Sequence, residues 1–157
     1  MEESVDAATF EAAVAPHYPA LRQRLTLVLH DPHAAEDAAQ EAYLRAYRAW
    51  PRFDGADVRA WLYTIGLRVA FNELRRRRRW SLLLRPMAPS PAWQPATDPD
   101  LWAAVGALEP RHRAALVLHV VDGYTQAEVG EMLGVPPGTV GSWISRDKAV
   151  LRRELEP

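Results

Sequence analysis

The sequence contains no cysteine. Disulfides, thiolate nucleophiles, cysteine-ligated zinc and iron–sulfur clusters are therefore excluded. It also has no run near the roughly 20 apolar residues that a membrane-crossing helix needs. It opens Met1-Glu2-Glu3, acidic where a secretory leader is basic and then apolar. No membrane insertion is expected, and a cytoplasmic, reduced protein is. Signals for an enzyme are missing too. The histidines at 17, 30, 33, 112 and 119 form no metal-binding spacing, and there is no phosphate-cradling glycine loop, nucleophile elbow or zinc-binding histidine pair. Hence no catalytic residue, metal or cofactor is expected. Strand-like alternation is scarce, whereas alanine, leucine and arginine, all good helix formers, dominate.

What is present is a 157-residue chain, 48% apolar and 25% charged, with room for one or two small domains. Its net charge of −1 hides an uneven layout. Residues 1–58 hold ten acids and five bases, 59–86 hold eight arginines and one acid, and 98–157 hold nine acids and six bases. One strongly positive segment in a near-neutral chain points to a polyanion partner at that segment. Residues 87–97 carry no charge, and prolines recur at 86, 89, 91, 95 and 99. Proline removes backbone donors and pushes the preceding residue out of helix, so this stretch reads as a stiff linker. The expected organisation is all-α: a first domain over 1–80, a linker over 81–97 and a second domain over 98–157, their mutual orientation left open by the linker.

Helical spacing in the first domain predicts a helix carrying Phe10, Val14, Leu21, Leu25 and Val28, delayed or bent by Pro16 and Pro19. A second runs from about His33 to Trp50 and a third starts near Val58, with Val58, Trp61, Leu62, Ile65 and Val69 inward, continuing into Arg75–Arg79. In the second domain, Asp98 caps a short helix and Pro110 opens the next. Thr125-Gln126-Ala127-Glu128 fits a capping box. From Thr125 to Leu151 the spacing is that of a helix-turn-helix, with Gly130 where helices cross, Gly134 at the turn, and Val140, Ile144, Leu151 and Leu155 inward. The outer face of the last helix presents Thr139, Ser142, Trp143, Arg146 and Lys148. Such a face fits a DNA major groove, and the spacing fits an ordinary antiparallel helix pair as well.

Three further features bear on function. Five adjacent arginines repel one another, and phosphate contacts would offset that repulsion. Trp50, Phe53, Trp61, Tyr63 and Phe71 precede them, and aromatics beside cations suit stacking of unpaired bases, although each also suits a helical core. Asp37, Gln40, Glu41 and Leu44 share one face of an acidic helix, either solvated or meeting a basic protein.

Two stretches together resemble the extracytoplasmic-function branch of the sigma-70 family of bacterial RNA polymerase. Glu36 to Tyr47, then Arg59 to Ile65 and the arginine run, look like sigma domain 2. Leu108 to Arg113, Tyr124 to Gly134 and Gly138 to Arg146 look like sigma domain 4. The resemblance implies a non-enzymatic specificity subunit. It implies docking of Asp37, Gln40, Glu41 and Leu44 on the clamp helices of the polymerase largest subunit, and contact of domain 4 with the flap. It assigns −10 recognition and melting to Phe53, Asp54, Gly55, Ala56, Trp61, Arg68, Asn72, Arg75 and Arg76. It assigns −35 recognition to Thr125, Gln126, Pro137, Thr139, Ser142, Trp143 and Arg146. An anti-sigma factor is the further partner it implies. With the last helix ending near Leu155, no fused C-terminal sensor domain is expected. The chain departs from the family at Gly141 and Trp143, where basic residues are usual, at Asp147, where a small residue is common, and at Asn72, a frequent aspartate. An effect of Trp143→Arg on promoter choice is expected. A stand-alone helix-turn-helix regulator and a protein-binding adaptor with reduced DNA affinity are the competing classes.

Overall fold

Prolines and polar caps set where the helices after the first begin. The structure, a computed structural model, describes residues 2–83 and 98–156. Helix α1 spans Glu2–Val14, a 3-10 turn covers Ala15–His17, and α2 spans Tyr18–Leu29. The single helix expected through Phe10 and Val28 is thus two, because Pro16 and Pro19 lack amide donors and their rings crowd the preceding turn. Helix α3 (Pro32–Ala49) starts at Asp31, whose carboxylate accepts from the amides of His33 at 3.0 Å and Ala34 at 3.1 Å. A second 3-10 turn, Trp50–Arg52, leads to α4, Val58–Leu83. Asp57 opens α4, its side chain accepting from the amide of Ala60 at 3.0 Å. The helical run past residue 80 means that the expected linker yields its first three residues to α4, and its remainder, 84–97, lies outside the described residues.

The second lobe holds α5 (Pro99–Gly106), α6 (Pro110–Val120), α7 (Gln126–Leu133) and α8 (Pro137–Leu155). Among the described residues there is no strand, and no helix is long and apolar enough to cross a membrane. In the first lobe α3 buries Ala34, Ala35, Ala38, Ala39, Ala42 and Ala46, small side chains that let α2 and α4 approach closely on either side. From α4 the buried members are Leu62, Tyr63, Leu67, Val69 and Ala70, while Val58, Trp61 and Ile65 of the expected stripe are half-buried.

The lobes are not held apart. Helix α2 packs on α6 and α4 on α7, so one apolar core runs from Phe10 in α1 to Ile144 in α8. The buried guanidinium of Arg113 stitches them, donating to the carbonyls of Leu108 at 2.8 Å, Gly106 at 3.0 Å and Val28 across the junction.

Candidate nucleic-acid and polymerase interfaces

The helix-turn-helix is built from local chemistry. Thr125 Oγ1 accepts from the Glu128 amide at 3.1 Å and Glu128 Oε1 accepts from the Thr125 amide at 3.0 Å, closing the predicted capping box. Gly134 turns the chain at φ +71°, a left-handed conformation that favours glycine. Gly130 is small for a reason other than a helix crossing. A Cβ there would lie 2.5 Å from the carbonyl oxygen of Val135, so the turn itself demands glycine.

On α8, Val140, Ile144 and Asp147 point inward, and Leu155, expected inward, is 38% exposed. Pro137, Ser142, Arg146 and Lys148 are exposed and Thr139 is half-buried. Trp143 is held differently from the free reader that the sequence suggests. Its indole stacks on the His112 imidazole of α6, with centroids 4.6 Å apart and planes 20° apart, so one ring face is covered. His112 also faces Asp147 Oδ1 at 3.5 Å and Glu109 Oε2 at 3.6 Å. Burial pushes the Asp147 carboxyl above its usual range, and nearby His112 opposes that shift.

At the other end, Phe53 stacks on Trp50 at 5.3 Å and leans on Trp61 at 4.9 Å, a half-buried cluster of three rings. The turn beside it is exposed. Asp54 accepts from the Ala56 amide at 3.2 Å, and Gly55 sits at φ +86°. From there Arg68, Asn72, Arg75 and Arg76 run down one exposed face of α4, as their spacing requires. Arg75 donates to Asn72 at 2.9 Å. Glu73 accepts from Arg76 at 2.8 and 3.0 Å and from Arg77 at 3.2 Å, and these bonds, Arg76's foremost, hold its carboxyl below the usual range. All five residues from Arg75 to Arg79 are exposed, as the cost of taking charge out of water dictates.

The acidic face of α3 is brought together as its spacing predicts. Asp37 and Gln40 are exposed, Glu41 pairs with Arg45 at 2.9 Å, and Leu44 is 51% exposed. Leu44 and Gln40 border an apolar dimple of about 550 Å³ with Tyr18, Pro19 and Tyr43. On the other flank, Asp37 and Glu41 share a hollow of about 350 Å³ with Asn72 and Arg76. An exposed leucine framed by acids suits a protein surface.

Residues 13–80 match the Sigma-70 region 2 family and residues 99–149 the Sigma-70, region 4 family. CarQ of Myxococcus xanthus, an RNA polymerase sigma factor, is 31% identical over 154 residues, which cover 93% of this chain and 88% of that protein. The chain belongs to the sigma-70 family, in its extracytoplasmic-function branch. SigE of Mycolicibacterium smegmatis is 33% identical over 136 residues, 78% of this sigma factor and 52% of SigE, so the chain spans about half the length of that relative. The RpoE sigma factor of Bartonella quintana, solved with the anti-sigma factor NepR, superposes with a TM-score of 0.81 at 25% identity, covering 94% of this chain and 97% of RpoE. CnrH, solved with the cytosolic domain of CnrY, gives 0.70 at 26% identity over 96% and 89%.

Sequence reasoning missed the residues that join the two lobes of this sigma factor. Arg24 donates twice to Asp122, each bond 2.9 Å, and Arg59 donates to the Tyr124 hydroxyl at 2.7 Å. His30 stacks on Trp102 at 3.9 Å. Tyr63 sits behind them with its hydroxyl buried and unpartnered, and burial pushes its phenol up to about 12. No short-range signal marks such pairs, although the buried Asp122 carboxylate next to the Gly123 turn is a clue in hindsight. Beside the junction lies an apolar groove of about 880 Å³, walled by Leu27, Leu101, Trp102, Val105, Val120 and Val121.

Proposed function

We propose that the chain carries promoter specificity to core RNA polymerase by dividing the work between its two family regions. The acidic face of α3, through Asp37, Gln40, Glu41 and Leu44, docks on the clamp helices of the largest subunit, and the second lobe meets the flap. The Phe53 to Ala56 turn and Trp61 receive unstacked bases of the −10 non-template strand, and Arg68, Asn72, Arg75 and Arg76 hold its backbone. Unstacking a base costs a few kcal/mol, which stacking on the Trp50–Phe53–Trp61 cluster offsets. At the −35 duplex the Thr125 turn and Pro137 approach phosphates while Gln126, Thr139, Ser142 and Arg146 face the major groove. Trp143 serves that surface by fixing α8 against His112, with only its outer face toward DNA.

The observation that carries this reading is the presence of two unlike surfaces on one chain: a groove-sized helix with a polar outer face, and an aromatic cluster running into exposed arginines. The chain itself performs no chemistry and acts where polymerase is, in the cytoplasm. An anti-sigma factor is the regulator we expect, as RpoE is solved with the anti-sigma factor NepR, and the junction groove offers it apolar surface that DNA would not use.

Transcription from a promoter library with purified core polymerase tests this. The expected result is initiation that needs the chain and depends on two separated sequence blocks, with permanganate-reactive thymines in the downstream block. Duplex binding by the chain alone, with no transcripts, would instead mark a stand-alone regulator.

A further inference from the structure

Gly141 lies on the second turn of α8, and what it leaves open is specific. A Cβ at this position would come 2.8 Å from Oε1 of Gln126, 3.3 Å from its Cδ and 3.4 Å from its Nε2. The amide of Gln126, the first residue of α7, therefore rests against bare backbone of α8. Gln126 is exposed, and its amide makes no hydrogen bond with any described residue. Of the residues one turn away from Gly141 on α8, Pro137, Gly138 and Ser145 are small and exposed and Ile144 points inward. An uncommitted amide thus stands on the outer face of α8 where α8 itself offers little reach.

We propose that Gln126 reads an adenine of the −35 element through the gap left by Gly141, taking the place of a long side chain on α8. This rests on the assignment of α8 to the −35 major groove. A glutamine amide matches adenine there: Oε1 accepts from the N6 amino group while Nε2 donates to N7. Gly141 is then part of the specificity device, since any side chain at 141 would displace the amide. The atoms it would strike are the far end of a flexible side chain, so the fold tolerates the change while the amide moves.

The test uses holoenzyme reconstituted from the full chain and core polymerase, transcribing a library randomised over the −35 block. Four variants are compared with the parent: Gln126→Ala, Gln126→Glu, Gly141→Ala and the Gln126→Ala/Gly141→Ala double. The parent is expected to prefer adenine at one position. Gln126→Ala should cut that preference about tenfold at this position alone. Gln126→Glu should move it toward cytosine, whose N4 amino group donates to a carboxylate. Gly141→Ala should reproduce the loss, and the double variant should lose no more than Gln126→Ala, because both changes act on one amide. Retained adenine preference in Gln126→Ala, or equal weakening on every sequence, would overturn the proposal. A parent holoenzyme that transcribes with no −35 dependence would overturn the assignment of α8 as well. Should Gln126→Ala unfold, the Gln126→Glu shift decides alone.

Discussion

Trp143 and Asp147, one turn apart on α8, both lean on His112, and this small cluster sets what α8 can present. Removing the half-buried indole by Trp143→Ala is expected to lower unfolding free energy by about 2 kcal/mol, measured by urea titration. Tyr63 gives a pH-dependent counterpart. In the unfolded chain its phenol titrates near 10, and in the fold it keeps its proton to about 12. A phenol whose folded value is raised contributes stability that is whole below pH 10 and is lost as pH climbs toward 12, about 3 kcal/mol in all. Tyr63→Phe should keep its stability at pH 7, because the hydroxyl has no partner to lose, and should flatten that alkaline decline in urea titrations at pH 9 to 12. That the candidate residues on α3 and α4 share faces was legible, because a 3.6-residue period places them there. Which side of Trp143 is covered was not, since His112 comes from another helix.

At the scale of elements, caps and breakers carried most of the information. Thr125 and Glu128, Asp98 and Pro110 mark helix starts that the structure keeps, and Pro16 and Pro19 mark a break deeper than the bend they suggest. Thr125→Ala should cost about 1 kcal/mol by loss of its side-chain acceptor, read from thermal or urea unfolding. Gly130 was legible as a required glycine, yet its cause, the Val135 carbonyl, lies in a turn whose path no periodicity encodes. Along α4 the exposed arginines predict a salt effect. Arg68→Ala and Arg75→Ala should each reduce the slope of log affinity against log salt by about 0.7 for a single-stranded −10 oligonucleotide bound to holoenzyme. An unchanged slope would remove that arginine from the backbone contacts.

At the scale of the whole molecule, the sequence leaves the lobes' mutual orientation open and the structure closes them on one core. Arg24 and Asp122 are 98 residues apart, and no local pattern announces such a pair. Helical content and the two-part layout were readable because they rest on near neighbours, whereas the junction rests on contacts between distant ones. Asp122→Ala should cost about 3 kcal/mol, since it leaves the mostly buried Arg24 guanidinium without its carboxylate, and urea unfolding measures it. Joined or parted, the lobes matter only if they serve polymerase, so association with purified core enzyme free of its own specificity subunit is the decisive measurement. Co-elution of the chain with core, weakened at least tenfold by Leu44→Glu, is the predicted result. Absence of association, with sequence-specific duplex binding by the chain alone, would contradict the account.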